Sequence, residues 1–443
     1  MRKLALEPTQ PGLQPVVDRL APNRKTGMIR SVIASSSGNL VEWFDFYAYA
    51  FAQIYFARSF IPSDDPTLQL IYTSGIFAVG FLMRPVGGWV FGRIGDIYGR
   101  KHAMTYSVLL MCVGSLVIAV LPTYAMIGIA APILLLGARL LQGLSLGGEF
   151  GTSATYMTEI ASSGRRGFIG SFQYATLIGG QLLASLVVLI LTATMSDQNL
   201  RAWGWRIPFF IGAVAAVVVF YLRRDLDETS TAESRAKEGA GSVMNLWRNH
   251  RRGLIGIIGY TAGGTLFFYT FTTYMQKYLI NSAGIDVRST GMIMTAALFI
   301  LMCVQPLFGL FADRMGTKFC LVLFGILATL IVYPILTLIR GSGGNVWMAF
   351  GLVMVPLLVM SIYTSIGGLI KAELFPTEVR VMGVGFPYAV MTALFGGTAE
   401  YLALTLKHAG METLYFWYVT AMCVVFLFVA IAMPKASTYG YLK

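Results

Sequence analysis

The chain has 443 residues, of which 56% are hydrophobic and 12% charged, and its formal net charge is +12. A soluble chain carries about 25% charged residues, so these figures exclude a soluble multidomain protein as well as a disordered or collagen-like one. Its apolar runs of about 20 residues also disfavour an outer-membrane β-barrel, whose strands alternate apolar and polar side chains. The composition predicts a helical membrane protein that crosses the bilayer many times.

Twelve apolar segments follow one another along the chain, each long enough to cross about 30 Å of hydrocarbon as a helix. In chain order, spans 1 to 12 cover residues 31–57, 68–91, 102–121, 126–160, 167–194, 206–222, 253–283, 291–312, 318–339, 347–374, 384–406 and 413–433. The predicted organisation is a tail (1–30), a six-span half (31–222), a charged connector (223–252), a second six-span half (253–433) and a tail (434–443). The predicted fold class is therefore all-α, with twelve transmembrane helices in two halves.

The basic residues indicate how the chain is oriented. With the N-terminus inside, most of the 33 Lys and Arg fall in the tails and in loops on one side, which predicts that both termini are cytoplasmic. The positive charge is thus interpreted as an orientation signal and not as a nucleic-acid site. The N-terminal segment is polar and has no apolar h-region, so we expect a cytoplasmic tail and not a signal peptide. The four cysteines lie at unpaired spacings and the three histidines in or near loops, so we expect no disulfide, metal site or histidine relay.

Two short motifs occur in both halves. Residues 92–101 read GRIGDIYGRK and residues 309–318, which start 217 positions later, read GLFADRMGTK. A Glu-x6-Arg spacing also recurs, from Glu159 to Arg166 and from Glu373 to Arg380. Two matches at nearly one offset predict duplicated halves, the architecture in which access alternates when one half rocks on the other.

The repeated motifs also predict a cytoplasmic gate. Asp96 can accept hydrogen bonds from the N-terminus of a neighbouring helix and can pair with Arg100 or Arg166. The predicted gate forms ion pairs when the protein faces outward and separates when it faces inward. It consists of Asp96, Arg100, Glu159, Arg166, Asp313, Glu373 and Arg380. The alternative is a set of charged loops that only fixes topology.

Span 1 carries Glu42 and Asp45 on one helix face. A charged side chain at the centre of a bilayer costs about 2.5–3.5 kcal/mol on insertion scales, so it persists where it faces a cavity or a partner. Arg84 of span 2 lies at similar depth and is the expected ion-pair partner. We expect the proton to travel on Asp45 or, as the second choice, on Glu42. The alternative is an ion pair that only locks two helices together.

Arg84 and Arg139 are the two basic residues at mid-span, so we predict that they bind an anion. Gln142 follows Arg139 on the same face of span 4, where Gly143 and Gly147 form a stripe for close helix packing. Glu149 is assigned to a structural or gating network. The expected substrate contacts are Arg84, Arg139, Gln142, Tyr47, Tyr274 and Lys277.

Three charged residues of the second half have open assignments. Lys277 either extends to the outer interface or adds a cation to the site. Glu400 of span 11 is a candidate carboxylate partner in the second half. Lys371, near the cytoplasmic end of span 10, is interpreted as a topology or gating residue.

Several segments resemble the metabolite:proton symporter branch of the major facilitator superfamily. They read SSSGNLVEWFDFYAYAFAQIYF, FLMRPVGGWVFGRIGDIYGRKHAM, ARLLQGLSLGGEFGTSATYMTEIA and WGWRIPFF, and the resemblance extends from about residue 30 to residue 434. It implies proton-coupled uptake of a dicarboxylate, with α-ketoglutarate as the expected substrate, by a monomer in a bacterial inner membrane. Citrate, shikimate, proline and betaine remain alternatives. Zwitterion carriers of this branch are expected to have Tyr-x-Pro-x-Tyr-Leu where residues 274–279 read YMQKYL, and the added Lys277 suits a dicarboxylate.

Other classes of function lack the motifs they need. The chain has no phosphate-binding loop, no HExxH and no GxSxG, so neither nucleotide-driven transport nor a membrane-embedded enzyme is expected. We expect no cofactor and no nucleic-acid partner. A transporter-like receptor that moves no substrate remains as an alternative, and uptake measurements would distinguish it.

Overall fold

The structure is a computed structural model that describes residues 24–64, 66–162, 164–224, 228–236, 239–435, 438 and 441. In this part of the chain it contains helices and no strand. Eleven of the helices are long and apolar enough to cross a membrane. The twelfth is the 37-residue helix Arg24–Phe60, which is less apolar because it carries polar residues such as Asn39, Glu42 and Asp45. The predicted all-α fold with twelve membrane helices is confirmed.

We number the membrane helices α1 to α12. They are α1 (Arg24–Phe60), α2 (Pro66–Leu82 and Arg84–Ile97), α3 (Arg100–Val120), α4 (Ala130–Ile160), α5 (Arg166–Thr194), α6 (Ile207–Arg224), α7 (Arg251–Tyr269 and Met275–Asn281), α8 (Val287–Met315), α9 (Thr317–Arg340), α10 (Val346–Thr364 and Leu369–Ala372), α11 (Arg380–Met391 and Gly397–His408) and α12 (Glu412–Ala432). Short helices at Ala232–Ala236 and Val243–Asn249 form part of the connector.

Two boundaries differ from the sequence prediction. Helix α1 includes residues 24–30, which the sequence assigns to the tail; residues 1–23 lie outside the described residues. Helix α6 continues to Arg224, so Arg223 belongs to the first half and not to the connector. The sequence prediction ends an apolar run at its first charge, but a buried partner allows the helix to continue past that charge.

Four membrane helices are interrupted. Helix α2 breaks at Met83, just before Pro85, which has no N–H to donate. Helices α7 and α11 contain π-helical turns at Thr270–Tyr274 and Thr392–Gly396, and turns at residues 365–368 divide α10. None of these interruptions changes local hydropathy, so the apolar runs did not predict them.

The two halves touch backbone to backbone at one end of the bundle, which we call the connector face because it holds Glu159, Arg380 and the connector. Helix α11 packs there against α2 and α4, and α5 packs against α8. A Cβ atom added at Gly151 of α4 would lie 2.6 Å from Cα of Gly385 in α11. Toward the opposite face, Pro66–Leu82 packs mainly on α1 and α4, and Gly397–His408 packs mainly on α12 and α7, with Phe81 still 3.5 Å from a Cβ added at Gly397. The halves are therefore closed against each other at the connector face.

Candidate functional site

The close contact of α2 and α4 places the two mid-span arginines near one another. A Cβ atom at Gly143 would lie 2.1 Å from the carbonyl oxygen of Gly80, and one at Gly147 would lie 2.2 Å from that of Arg84. Larger residues would separate the helices, so the glycine stripe has the packing role that the sequence predicts. Arg84 begins the second segment of α2, directly after the break, and Arg139 lies one turn before Gly143 on α4.

Arg84 is buried against aromatic rings of α1 and α2. Its guanidinium carbon lies 4.1 Å from the ring centroid of Phe81, 4.7 Å from that of Phe46 and 5.1 Å from that of Trp43. Its Nη1 donates to the hydroxyl of Tyr269, in the second half, over 3.4 Å. Its Nε and Nη2 have no hydrogen-bond partner among the described residues.

Arg139 is also fully buried and lies over a related set of rings. Its guanidinium carbon is 4.4 Å from the centroid of Tyr49 and 5.0 Å from those of Phe46 and Phe77. Its Nη1 donates to Oε1 of Gln142 over 2.6 Å, while Nε and Nη2 have no partner within the described part of the chain. Because both arginines flank the ring of Phe46, their guanidinium carbons lie within about 10 Å of each other.

These two arginines form a buried cationic site whose donors are only partly satisfied by protein groups. Aromatic faces stabilise a desolvated cation in part, by about 2 kcal/mol or more at buried sites. They do not satisfy N–H donors, and four guanidinium nitrogens of Arg84 and Arg139 have no acceptor among the described residues. Buried donors of this kind favour a ligand that supplies acceptor oxygens, and guanidinium groups match carboxylates in shape and charge.

Asp45 is connected to Arg139 through two neutral side chains. Ser115 of α3 donates to Oδ2 of Asp45 over 2.5 Å, and Gln142 donates to the Ser115 hydroxyl over 2.9 Å. The Gln142 amide oxygen in turn accepts from Arg139. Oδ1 of Asp45 has no partner among the described residues and lies against Gly212 of α6, where a Cβ atom would be 1.6 Å away. Asp45 thus lies inside the first half, behind the arginines.

The expected ion pair between Arg84 and a span 1 carboxylate is wrong. Among the described residues, Arg84 forms no ion pair with Asp45 or Glu42. It contacts Trp43 and Phe46, and successive residues of a helix are rotated by about 100°, so Asp45 points away from the Phe46 ring. Depth along the helix suggested the pair, but rotation about the helix axis separates its members.

Glu42 lies in a different polar cluster. The Ser145 hydroxyl is 2.8 Å from Oε1 of Glu42 and 2.7 Å from the carbonyl oxygen of Ser107. Nearby, Glu149 forms a fully buried ion pair with Arg223, and Ser107 donates to Glu149 over 3.1 Å. This is a structural network of the kind that the sequence predicts for Glu149, and it includes Glu42.

Tyr274 and Lys277 lie apart from the arginines. Lys277 forms an ion pair with Glu400, and the two side chains are 49% and 31% exposed. Tyr274 packs inside the second half, with its ring 5.4 Å from that of Tyr415. The physical reason is depth, because Lys277 lies eight residues beyond Tyr269 along α7, which corresponds to about 12 Å at 1.5 Å per residue.

Two further residues stand close to the arginines. Tyr47 stacks on Trp43 with ring centroids 5.8 Å apart, on the helix that carries Phe46. Tyr269, the residue before the π-helical turn, packs on Phe81 at 6.1 Å and accepts from Arg84. Sequence reasoning missed Tyr269, and its only signal is that it is one of several aromatic residues on span 7.

Asp96 joins the two halves at the connector face. Its carboxylate accepts the backbone N–H groups of Val381 (3.0 Å) and Met382 (2.9 Å), at the N-terminus of α11. The negative charge also interacts favourably with the dipole of that helix. This is the contact with a neighbouring helix N-terminus that the sequence predicts for Asp96.

Asp313 makes the equivalent contact in the other direction. It accepts the N–H groups of Gly167 (2.6 Å) and Phe168 (2.9 Å), at the N-terminus of α5 in the first half. Glu373 lies nearby and accepts from Thr317 over 3.4 Å, within electrostatic range of Arg166. The second repeat therefore reproduces the capping contact of the first.

Ion pairs accompany these caps. Arg100 lies 3.4 Å from Asp96 and 3.3 Å from Glu159, and its Nη2 donates to the carbonyl of Thr377 over 2.7 Å. Arg380 of the second half pairs with Glu159 at 2.7 Å. Glu159 therefore binds one arginine from each half. Of the seven predicted gating residues, these interactions join Asp96, Arg100, Glu159 and Arg380 in one cluster.

The connector contributes to the same cluster through Glu228, which sequence reasoning missed. Its carboxylate accepts the N–H groups of Arg100 (3.0 Å) and Lys101 (3.2 Å) and caps α3. Gly99 adopts a φ of 113°, which favours glycine, and a Cβ there would lie 2.1 Å from Glu228. Burial favours the neutral form of Glu228, but hydrogen bonds from Ser230 and from these backbone groups outweigh it and hold its pKa below the ordinary value of 4.5.

The structure has twelve helices in two halves, a buried site between the halves and charged contacts at one face. These features define a membrane transporter of the major facilitator fold. The chain belongs to the sugar (and other) transporter family, whose model matches residues 31–238 and 224–438. It is thus a transporter and not an enzyme.

Relatives and solved structures agree with this class. The α-ketoglutarate permease of Escherichia coli (strain K12) is 58% identical over 407 residues, covering 92% of this chain and 94% of the relative. The proline/betaine transporter of Salmonella typhimurium is 29% identical, covering 92% and 84%. A solved structure of the proton:xylose symporter XylE superimposes with a TM-score of 0.74 at 17% identity, covering 93% of this chain and 97% of that chain.

Proposed function

We propose that the protein takes up a dicarboxylate, α-ketoglutarate, together with protons across a bacterial inner membrane. The observation that carries this proposal is the pair of buried arginines, Arg84 and Arg139, with four guanidinium nitrogens that lack an acceptor among the described residues. The 58% identity to a protein named α-ketoglutarate permease supports the choice of substrate.

The two arginines suit a dianion. Each offers a planar fork of donors that one carboxylate can accept in a bidentate manner. Gln142, already bonded to Arg139, orients that fork, while Tyr47 and Tyr269 add phenolic groups beside Arg84. Lys277 and Tyr274 would contact the substrate only if the outer ends of the two halves closed over the arginine site. Proline and betaine carry one carboxylate each and would leave one arginine without a partner.

Proton coupling follows from the chain of contacts between Arg139 and Asp45. An anion on the unpaired Nε and Nη2 of Arg139 offsets the positive charge that faces the chain of contacts from Gln142 through Ser115 to Asp45. The charged form of Asp45 then loses electrostatic support and takes up a proton. A dianion that enters alone works against an inside-negative potential at about 2.3 kcal/mol per charge per 100 mV, so each proton carried with it lowers that cost. Glu42 is the second candidate carrier.

The connector face is the cytoplasmic face in this proposal, with both termini inside, because basic residues are concentrated on that side. The Asp96 and Asp313 caps and the ion pairs of Glu159 hold it shut, so the arginine site is closed toward the cytoplasm in the described conformation. Substrate entering from outside is released when these contacts separate. The protein acts as a monomer in the bilayer.

Transport into proteoliposomes tests this proposal. Purified protein should accumulate labelled α-ketoglutarate when the outside is acidic, and unlabelled citrate, shikimate, proline and betaine should compete poorly. Uptake should disappear when a protonophore collapses the gradient. Preferential uptake of proline or betaine would overturn the choice of substrate. Binding without any accumulation would indicate a transporter-like receptor.

A further inference from the structure

Lys371 is a fully buried lysine of the second half, in the short segment Leu369–Ala372 of α10. Its Nζ donates to the carbonyl of Gly367 over 2.8 Å and to the hydroxyl of Tyr363 over 3.3 Å. It lies 5.2 Å from the ring centroid of Phe150 and 5.3 Å from those of Tyr363 and Tyr388. No carboxylate lies within ion-pair distance of Lys371 among the described residues.

Two of those rings form a contact between the halves. Phe150 of α4 and Tyr388 of α11 stack with centroids 3.6 Å apart and planes 13° apart. The next residue, Gly151, allows the α4 backbone to touch α11 at Gly385. Lys371 therefore lies against a seam that exists only while the connector face is closed.

The seam lies between the arginine site and the charged cluster. Along α4, Phe150 is 11 residues from Arg139 and 9 residues from Glu159, which corresponds to about 16 Å and 14 Å at 1.5 Å per residue. A substrate that moves from the arginines to the connector face must pass the level of Phe150 and Tyr388. When the stack opens, Lys371 is the cation uncovered at that level.

The hydrogen bonds of Lys371 satisfy only part of a buried ammonium group and do not neutralise its charge. An ammonium group has three donors, and the described residues supply two neutral acceptors. A lysine that only locked helices would be expected to pair with a carboxylate, as Arg223 does with Glu149. Aromatic faces hold a cation without neutralising it, so its attraction for an incoming anion is retained.

We propose that Lys371 forms a second carboxylate-binding site, which holds one carboxylate of the substrate on the release side when the connector face opens. This inference rests on the proposed function, since it requires an anionic substrate. The site is separate from the arginine pair, and it affects substrate at the connector face only.

Sided transport measurements test the inference. In oriented proteoliposomes, KM is measured for substrate at the connector face and, separately, at the opposite face, for the wild type, Lys371→Met and Lys371→Arg. Methionine keeps the apolar stem in its aromatic surroundings and removes the charge. We expect it to raise KM at the connector face by about tenfold or more, which is the effect of losing one charge-assisted hydrogen bond, and to leave the other KM within about twofold. Arginine should restore most of the loss.

A matched control is Tyr363→Phe, which removes the hydroxyl bonded to Lys371 and keeps both the ring and the charge. It should change neither KM by more than about twofold. Equal changes of both KM values in Lys371→Met, or no change in either, would overturn the inference. So would a loss of gradient-driven accumulation with exchange intact, because Lys371 would then carry the proton. If the wild type transports no dicarboxylate, both the proposed function and this inference fail. If the wild type does transport one, and Lys371→Met changes KM equally at both faces, only this inference is contradicted.

Discussion

Asp96 and Asp313 occupy equivalent positions in the two repeats, and each caps a helix of the opposite half. Asp96 accepts two backbone N–H groups of α11, and Asp313 accepts two of α5. One duplicated motif thus builds two related contacts across the boundary between the halves. These contacts lie at the connector face, where the halves are closed.

Removing either cap should open the connector face. A helix cap contributes about 0.5–2 kcal/mol, so Asp96→Ala and Asp313→Ala should each shift the balance toward the open state by about 2- to 30-fold. Spin labels on the exposed residues Tyr98 and Met315, in opposite halves, would report the change as a longer distance. Asp197→Ala is the control, because Asp197 forms its ion pair with Arg201, within one short helix of the first half, among the described residues. Unchanged distances in both cap variants would show that the caps fix topology only.

The arginine pair should depend on guanidinium shape as well as charge. Arg84→Lys and Arg139→Lys keep the charge and lose the planar fork, so each should raise KM for the dicarboxylate by about tenfold. Arg340→Lys is a surface control, since Arg340 also lies over an aromatic ring but is 42% exposed. Initial uptake rates across a substrate series give these values. Normal uptake by the Arg84→Ala, Arg139→Ala double variant would exclude this site.

Asp45 should couple proton and substrate. Asp45→Asn should abolish gradient-driven accumulation and retain exchange of labelled for unlabelled substrate. Ser115→Ala, which removes the hydroxyl between Gln142 and Asp45, should weaken coupling and preserve exchange. Counterflow and gradient-driven uptake are compared in one preparation, with Glu42→Gln in parallel. If only Glu42→Gln uncouples transport, Glu42 is the carrier and the assignment of Asp45 is wrong.

Gly151 should be required for closure of the connector face. A Cβ atom there would lie 2.6 Å from the Gly385 backbone, so Gly151→Val should hold the halves apart. The matched control is Gly137→Val on the same helix, because nothing lies within 4 Å of a Cβ added at Gly137. A thiol reagent should modify a cysteine introduced at position 150 faster in the Gly151→Val variant than in the Gly137→Val variant. Equal rates would contradict the close packing of α4 on α11.

The Glu228 cap should give a pH-dependent contribution to stability. Because the pKa of Glu228 is lowered in the folded protein, its contribution is present above the ordinary value of 4.5 and is lost as the pH falls through the lower folded value. The Tm of the wild type should exceed that of Glu228→Gln above pH 5, and the difference should vanish in acid. A difference that does not change between pH 3 and pH 6 would contradict this assignment.

The sequence predicted the fold because the signals involved are local. Apolar runs define twelve helices, and the repeated motif places Asp96 and Asp313 at equivalent loops. Arg84 and Arg139 were predicted to face the protein interior for a similar reason, since charges are rare in such runs, and both are buried. The partner of Asp45 was not found, because it depends on the rotation of α1 and on the uncharged residues Ser115 and Gln142.

Depth and backbone irregularities explain the other differences. Tyr274 and Lys277 lie beyond Tyr269 along α7 and therefore away from the arginines, whereas Tyr269 lies beside Arg84. The turns at residues 365–368 set the orientation of the segment that carries Lys371. A uniform helical projection assumes 3.6 residues per turn throughout, so it misplaces residues beyond each irregularity.

We expect a dianion bound by Arg84 and Arg139 to draw a proton onto Asp45. Titration calorimetry of α-ketoglutarate binding, in buffers of different ionisation enthalpy, measures the protons taken up with each substrate molecule. We expect net proton uptake by the wild type, binding without that proton by Asp45→Asn, and no binding by the double arginine-to-alanine variant. Wild-type binding with no proton uptake across pH 5 to 8, or undiminished binding by the double variant, would contradict this expectation.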